Sequence, residues 1–519
     1  MPDAKFDVLV VGGGTGGCAA AMAACDLGLK VAMTEPTRWL GGQLTSQAVP
    51  PDEHPWIETT GCTARYREYR DRVRAWYRTH RGLTLEAKRN RRLNPGGGWV
   101  SRLCHEPRVG VQVLDDMLAP YLASGLLTVM LGAEPVSAEV LGDRVAAVRV
   151  RTPQGTLNIE ADWFIDASET GDLLPLTGAE YVLGAESHRE TGEPHALAEA
   201  DPNDQQGITW CFVMAWDPAG DHTIAKPAQY DRWRAFKPEF WPGPLLGWTT
   251  AHPVTLEERV WTVFDQPSGP GLFSYRQIVD PGVLAVPEPA ATVVNWPQND
   301  YFVAPIVDVP EPDRSVRLEE ARQLSLSLLY WLQTEAERPD GGAGFPGLRL
   351  CPEHTGTDDG FAMAPYIRES RRIKACFTVT ELHVASALHP GADRAPSFAD
   401  SVGVGCYRID LHPSTSGRNS VDIGSLPFEI PLGALIPVRL TNLIAGAKNL
   451  GTTHISNGCF RLHPVEWNIG EAAGALAAFC TATGRQPRQV LEDGLATKDF
   501  QSLLDQQGVQ RSWPSLGPV

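Results

Sequence analysis

The sequence predicts an α/β fold with more than one lobe. A glycine-rich turn lies between an apolar strand and a helix close to residue 12, and two further strand-and-glycine blocks lie at residues 159–172 and 442–480. An irregular, proline-rich region separates the last two blocks. Because 519 residues exceed the size of a single hydrophobic core, we predict two lobes, one of them built on the Rossmann-like unit of strand, glycine-rich turn and helix.

The first element is a strand that leads through a glycine-rich turn into a helix. Phe6–Val11 is a short apolar run, as expected for a parallel strand that is covered on both faces. Gly12, Gly14 and Gly17 fit the spacing G-x-G-x-x-G, and a helix rich in alanine begins at Thr15. The first glycine permits the tight turn, the second lets the backbone approach a pyrophosphate, and the third lets helix and strand pack closely.

The second strand ends in an acid. The stretch KVAMTE closes with Glu35, 23 residues after Gly12, where a carboxylate accepts hydrogen bonds from ribose hydroxyls and repels a 2′-phosphate. A second match to the glycine spacing, at 342–347, follows no strand and contains Pro346, so we interpret it as a loop. The first match therefore predicts a dinucleotide site.

Three stretches of the chain carry a more specific resemblance. Glu35 is followed by PTRWLGGQLTSQ, residues 159–172 read IEADWFIDASETGD, and residues 442–480 read NLIAGAKNLGTTHISNGCFRLHPVEWNIGEAAGALAAFC. These blocks resemble those of FAD-dependent oxidoreductases of the glutathione-reductase-like superfamily, in which separated segments form the flavin domain around a substrate domain. The resemblance implies FAD as the cofactor and an oxidoreductase activity.

The resemblance also implies which residues contact FAD. Val136, in strands predicted over 127–151, is expected beside the adenine, and a helix predicted over 466–480 is expected to direct N–H groups near Asn468 at the charge of the reduced flavin. The implied residues are Gly12, Gly14, Thr15, Gly17, Glu35, Pro36, Gly41, Gly42, Gln43, Thr45, Val136, Ala167, Ser168, Asp172, Asn468, Ile469 and Gly470.

Together with the order of the blocks, the resemblance implies a Rossmann-like FAD-binding domain assembled from discontinuous segments, with an inserted mixed α/β substrate domain. Helices are predicted over 63–80, 106–122 and 317–338. Seven tryptophans lie between residues 201 and 300, and we interpret most of them as core, although aromatic walls also suit a ligand cleft. The predicted parts are FAD-binding segments at 1–50, 99–180 and 431–485, a helical insertion at 51–98, a substrate or cap domain at 181–430 and a C-terminal tail at 486–519.

Departures from glutathione reductase indicate the direction of electron flow. The chain has no second credible dinucleotide unit and no C-x-x-x-x-C pair, so electrons are expected to enter from a small polar substrate with an alcohol, sugar-like or amine C–H. They are expected to leave to oxygen, a quinone or another protein. The alternatives are an NAD(P)H-dependent flavin monooxygenase, a non-catalytic FAD-fold binding protein of the Rab-escort type, and a tRNA-modifying flavoprotein.

Candidate catalytic residues lie in the closing block. Dehydrogenation requires a base for the hydroxyl or amine proton, and His454 is the predicted acid/base, with Asn457 or Arg461 orienting the substrate. The alternative is that these side chains only bind the turn or the cofactor. A metal triad of His454, His463 and Glu466 is disfavoured, and no metal is expected.

Composition limits the class of partner and the compartment. A formal charge of −17 repels nucleic acid and anionic membranes, even though arginines and aromatic residues alternate over 63–80. Ten cysteines without a C-x-x-C pair, together with the absence of a signal segment or a membrane-length apolar run, predict reduced thiols and a cytoplasmic location. Arg368, Arg371 and Arg372 are candidates for binding an anionic substrate or for pairing with acidic neighbours.

Overall fold

The computed structural model describes residues 4–516; residues 1–3 and 517–519 of the predicted first and last segments lie outside the described range. None of the helices between residues 4 and 516 combines the length and apolar character that crossing a bilayer requires. The α-helices in this range are α1 (Thr15–Asp26), α2 (Ala64–His80), α3 (Leu85–Arg89), α4 (Pro107–Ser124), α5 (Leu173–Thr177), α6 (His188–Thr191), α7 (Tyr230–Ala235), α8 (Leu272–Tyr275), α9 (Asp313–Thr334), α10 (Pro352–Thr355), α11 (Glu381–Val384), α12 (His454–Phe460), α13 (His463–Thr483), α14 (Pro487–Glu492) and α15 (Gly494–Gln506).

The strands alternate with these helices along the chain. They are β1 (Ala4–Val11), β2 (Val31–Glu35), β3 (Leu127–Leu131), β4 (Glu134–Leu141), β5 (Arg144–Thr152), β6 (Gly155–Asp166), β7 (Tyr181–Val182), β8 (Ile208–Thr209), β9 (Phe212–Trp216), β10 (Thr249–Ala251), β11 (Glu258–Val260), β12 (Gln277–Val279), β13 (Ala291–Val294), β14 (Asp300–Tyr301), β15 (Leu348–Leu350), β16 (Arg372–Ile373), β17 (Ser401–Gly405), β18 (Ile409–Leu411), β19 (Val421–Ile423), β20 (Phe428–Pro431) and β21 (Leu443–Ala445).

A parallel sheet forms the centre of the molecule. Strands β3, β2, β1, β6 and β21 lie side by side in parallel, and β5 and β4 extend β6 as an antiparallel hairpin. Val8 to Val11 are fully buried in this sheet, which explains their apolar character. The predicted α/β fold with a Rossmann-like sheet is confirmed. The strands predicted over 127–151 are β3, β4 and β5. Strand β3 joins the parallel part of the sheet, and β4 and β5 form its antiparallel part.

Helices α1 and α13 pack together without intervening side chains. A Cβ atom on Gly470 would lie 1.9 Å from the carbonyl oxygen of Gly16, and one on Gly474 would lie 2.1 Å from that of Ala20. Only glycine allows backbones to approach so closely. The closing block of the sequence therefore docks directly on the opening block, as the discontinuous assembly requires.

The inserted region has an apolar core of its own. Buried side chains between residues 208 and 367 form this core, and β12, β13, β9 and β15 form an antiparallel sheet within it. Trp233, Trp241 and Trp296 are buried in the core, and the other four tryptophans of the 201–300 region pack partly buried against it. The interpretation of these tryptophans mainly as core is confirmed.

Helix α2 places its aromatic residues inward, as the sequence predicts. Tyr66, Tyr69, Val73 and Tyr77 are buried. Two of its arginines are buried as well and pair with the acids of the preceding segment: Arg70 Nε lies 2.9 Å from Glu53 Oε1, and Arg74 Nη2 lies 2.6 Å from Glu58 Oε1. These arginines therefore serve internal ion pairs. The other two predicted helices are α4 and α9, and α9 begins four residues before its predicted start.

Candidate active site

The glycine-rich turn has a conformation that other residues cannot adopt. Gly12 has a φ angle of +98°, and a Cβ on it would lie 2.4 Å from the carbonyl oxygen of Ala167 at the end of β6. A Cβ on Gly17 would lie 1.8 Å from the carbonyl oxygen of Gly12. The turn therefore packs against β6 and α1 at distances that exclude a Cβ, and the unpaired N–H groups at the amino end of α1 can bind an anion.

The acid at the end of β2 closes one side of this turn. The N–H of Gly13 donates to Glu35 Oε2 at 3.1 Å, and the N–H and hydroxyl of Thr37 donate to Oε1 at 2.9 and 2.6 Å. Burial is the largest influence on this carboxyl and raises its pKa to about 7, although the hydrogen bonds oppose that shift. Glu35 is thus fixed at the rim of the turn as a hydrogen-bond acceptor.

A groove of about 430 Å³ runs along the carboxyl ends of β1, β2 and β6. Eight of the residues implied by the resemblance line it: Gly12, Gly14, Glu35, Pro36, Gly42, Ala167, Ser168 and Asp172. The inserted region contributes the opposite wall through Ile306 to Val309, Met363 to Pro365, Ile367 and Arg371, and of these only Arg371 was a candidate from the sequence. The groove therefore lies between the two lobes, where ligands of open α/β sheets bind.

Other implied residues support the walls of the groove rather than lining it. The Thr15 hydroxyl donates to the carbonyl of Gly41 at 3.0 Å, the Gln43 amide donates to the carbonyl of Arg461 at 3.0 Å, and the Thr45 hydroxyl donates to a neighbouring carbonyl at 2.5 Å. These bonds join the second glycine turn to the helix α1 and to the closing block.

The last group of implied residues lies away from the groove. Val136, in β4, is 37% exposed and does not line the groove. The three residues before it, Ala133 to Pro135, do line the groove. Helix α13 begins at His463, so Asn468, Ile469 and Gly470 lie one to two turns inside it and their N–H groups bond within the helix. The expectation that these N–H groups form the amino end is wrong. Instead, the Asn468 amide bonds to the backbone of β17, and Gly470 packs on α1.

The three candidate catalytic residues lie on or next to helix α12, and all are buried. His454 Nδ1 lies 3.0 Å from Glu369 Oε1 in the inserted region. Burial disfavours the charged imidazole, but the Glu369 carboxylate outweighs it and raises the pKa of His454. The Asn457 amide donates to the carbonyl of Lys448 at 2.9 Å, and Arg461 Nη1 donates to the Tyr366 hydroxyl at 2.8 Å.

Arg461 belongs to a group of buried arginines that the sequence analysis did not bring together. We call Arg276, Arg368 and Arg461 the arginine cluster; they are 7%, 1% and 2% exposed. The Tyr366 side chain joins two of them, because its hydroxyl accepts from Arg461 and the Arg368 guanidinium lies 4.9 Å from the centre of its ring. Arg276 Nη1 lies 3.4 Å from each carboxylate oxygen of Asp52.

A histidine between two acids stands beside this cluster. His412 Nδ1 lies 2.6 Å from Asp300 Oδ2, and the other oxygen of Asp300 lies 3.0 Å from Arg368 Nη2. His412 Nε2 lies 3.6 Å from Asp410 Oδ2, which also lies 3.1 Å from Arg461 Nη2. Burial opposes ionisation of Asp410, but His412 and Arg461 outweigh it and lower its pKa. An imidazole oriented by a buried carboxylate can accept and return a proton.

One sequence signal could have indicated this histidine. Asp410 lies in β18 and His412 directly follows the last residue of that strand, and alternate residues of an extended chain share a face. Of the candidate anion-binding arginines, Arg371 lies 2.7 Å from Asp308 and Arg372 lies 2.5 Å from Glu369. Pairing with acidic neighbours is therefore confirmed for these two.

The comparison with protein families decides the class. A family model described as FAD dependent oxidoreductase matches residues 7–504. The chain belongs to the FAD-dependent oxidoreductase family. Its cofactor is accordingly FAD, and its identification as a flavoprotein oxidoreductase is confirmed. A search of curated proteins finds no match.

Solved structures similar to this FAD-dependent oxidoreductase share little sequence with it. A geranylgeranyl bacteriochlorophyll reductase-like protein from Thermoplasma acidophilum is 12% identical over 98% of this chain and 85% of its own, with a TM-score of 0.32. The OxyS anhydrotetracycline hydroxylase from Streptomyces rimosus is 14% identical over 72% and 55%, with a TM-score of 0.28. An L-proline dehydrogenase from P. horikoshii is 15% identical over 39% of this chain, which covers only 30% of the dehydrogenase, with a TM-score of 0.19.

The residues of this FAD-dependent oxidoreductase fit a bound dinucleotide. Gly14 and Gly42 face each other across the turn, since a Cβ on Gly42 would lie 2.9 Å from the Cα of Gly14, and the Glu169 carboxylate, 2.8 Å from that Cβ position, also lines this part of the groove. Within residues 4–516, the Oε1 atom of Gln47, which lines the groove, is buried without a hydrogen-bond partner. Such an acceptor matches a ligand that donates O–H or N–H hydrogen bonds, as ribose and isoalloxazine do.

Proposed function

We propose that this FAD-dependent oxidoreductase dehydrogenates a small polar substrate that carries an alcohol, sugar-like or amine C–H. When bound, FAD supplies a hydride acceptor at N5 of its ring. One observation carries the proposal: helix α12 of the closing block brings His454 and Arg461 against Glu369 and Tyr366 of the inserted region. A proton acceptor and an orienting cation are thereby held in one buried place between the lobes.

Each of these side chains has a distinct role in the proposal. His454 accepts the proton of the substrate hydroxyl or ammonium group, and Glu369 fixes the imidazole by its bond to Nδ1. Arg461 orients the substrate, and Asn457 holds the loop at Lys448 in place. The Asp300–His412 pair offers a second proton acceptor in the same region. Electrons then leave to oxygen or another acceptor.

The proposal includes the source of the electrons and the compartment. The lack of a second dinucleotide unit in the sequence supports an organic electron donor rather than NAD(P)H. All ten cysteines are free thiols, which supports a reducing compartment such as the cytoplasm. A small-molecule substrate, and neither nucleic acid nor a membrane, is the proposed partner.

An anaerobic screen tests the proposed function. The purified flavoprotein is mixed with alcohols, sugars, hydroxy acids and amines, and the loss of oxidised-flavin absorbance is followed. At least one compound is expected to reduce the flavin, and His454→Gln is expected to slow that reduction while FAD content stays unchanged. Reduction by NADH or NADPH alone would instead favour the monooxygenase alternative. Reduction by none of these compounds would favour a non-catalytic binding protein.

A further inference from the structure

We propose that the arginine cluster binds a carboxylate group of the substrate. The inference rests on the proposed function and deepens it, because it assigns the substrate to the carboxylic acids. The site would lie where Arg276, Arg368 and Arg461 meet around Tyr366, beside the Asp300–His412 pair.

Unpartnered hydrogen-bond donors are the first evidence. Among residues 4–516, the Nε atoms of Arg276, Arg368 and Arg461 are all buried and have no acceptor. The side-chain amide nitrogens of Asn295 and Gln206 are also buried and have no acceptor. Native proteins rarely leave buried donors unpaired, because each one loses its bonds to water without replacement. Five donors without acceptors indicate a ligand that is rich in acceptors.

Contacts between segments place the residues that carry these donors close to one another. The side-chain oxygen of Asn295, Oδ1, accepts from Arg368 Nη2 at 3.0 Å. Val293, two residues earlier, donates its N–H to the backbone carbonyl of Arg276 at 3.1 Å. The Gln206 side-chain oxygen accepts from the N–H of His412 at 3.4 Å. Hydrogen bonds therefore join Arg368 to Asn295 and His412 to Gln206, and the backbone bond of Val293 places Arg276 beside the segment that carries Asn295.

The charges of the cluster favour a carboxylate. Each arginine already faces one acid through its terminal nitrogens, with Asp52, Asp300 and Asp410 as the partners, so three positive charges oppose three negative ones. The Nε–H groups, which these ion pairs leave unused, can donate directed hydrogen bonds to a ligand, while the cluster and its three acids together carry little net charge. A planar monoanion that accepts paired N–H bonds suits this arrangement better than a phosphate dianion.

Ligand titration of the FAD-loaded protein tests the site. The probes are L-lactate against propane-1,2-diol, succinate against succinamide, and inorganic phosphate, with flavin absorbance and the Tm as readouts. We expect at least one carboxylate to bind about tenfold or more tightly than its uncharged counterpart, and Arg276→Gln to weaken that binding about 10- to 100-fold. Arg234→Gln, which removes a surface arginine of the same region, is the matched control and is expected to bind normally.

Two further variants keep the test decisive if Arg276→Gln fails to fold. Arg276→Lys retains the charge but loses the Nε donor, and Asn295→Asp adds a negative charge beside Arg368; both are expected to weaken carboxylate binding without loss of FAD. The site is overturned if no probe binds, if phosphate or the uncharged compounds bind as tightly as carboxylates, or if these variants lose FAD.

The two proposals fail in different ways. Carboxylate binding that depends on Arg276, without reduction of the flavin by any compound, would keep the site and overturn the proposed oxidation. Reduction by diols or amines with no preference for a carboxylate would keep the oxidation and overturn the site.

Discussion

The glycine turn at residues 12–17 and the arginine cluster both offer hydrogen-bond donors to a ligand, but they are built differently. The turn uses backbone N–H groups of one short stretch, so its steric demands appear directly in the sequence as glycine spacing. The cluster uses side chains from residues 276, 368 and 461, whose sequence neighbourhoods have no common pattern. Sites made from backbone can therefore be recognised in a sequence, whereas sites assembled from distant side chains require the fold.

The largest effect is expected on breaking the cluster. Arg368→Met leaves the buried Asp300 without its arginine, and loss of one partner of a buried ion pair costs about 3–5 kcal/mol. Urea unfolding of the FAD-loaded protein measures this change. The double variant Arg368→Met with Asp300→Asn is expected to regain part of the loss, because the unpaired charge is gone. If both variants unfold like the wild type, Arg368 and Asp300 do not form an energetically important pair.

The next effect concerns the glycine turn. Gly17→Ala forces a Cβ against the carbonyl oxygen of Gly12, 1.8 Å away before relaxation, and overpacking of this kind costs about 1–3 kcal/mol. We expect a lower Tm and protein that purifies with little FAD. Gly82→Ala is the control, because nothing lies within 4 Å of a Cβ at that position. Full FAD content in Gly17→Ala would contradict the steric account of the turn.

A pH profile separates the two histidines near the cluster. Because Glu369 raises the pKa of His454, Glu369→Gln is expected to lower it. A base acts above its own pKa, so the acidic limb of the rate of flavin reduction should move to lower pH in the variant. Stopped-flow measurements across the pH range give the limb, and an unchanged limb would assign the base to His412 instead.

The smallest effect concerns Glu35 at the rim of the groove. Burial raises its pKa to about 7, so the carboxyl is partly protonated near neutral pH. Ribose hydroxyls donate to the ionised form, so FAD binding should lower this pKa, release a proton and tighten as pH rises through 7. Calorimetric titration of apoprotein in buffers of different ionisation enthalpy measures the proton. Glu35→Gln is expected to release none, and equal release from both proteins would assign the proton to another group.

The sequence predictions are accurate where the interacting residues lie close together in the sequence, and they fail where the residues lie far apart. The first strand, helix α1 and the acid at Glu35 occur where predicted, because their causes lie within about 30 residues of sequence. The amino end of α13 was misplaced although Pro464, a residue favoured in the first helical turn, marks it. His412 and Asp300 were missed because they lie in segments 112 residues apart, and only the fold joins them.

The contact between α1 and α13 also bears on how the protein is made. Gly16 and Gly470 lie 454 positions apart in the polypeptide, and translation at about 5–20 residues per second separates their appearance by roughly 20–90 s. Throughout that interval the nascent α1 lacks the helix that covers its glycine and alanine surface. Chaperones that shield this surface on the ribosome would therefore raise the yield of the finished protein.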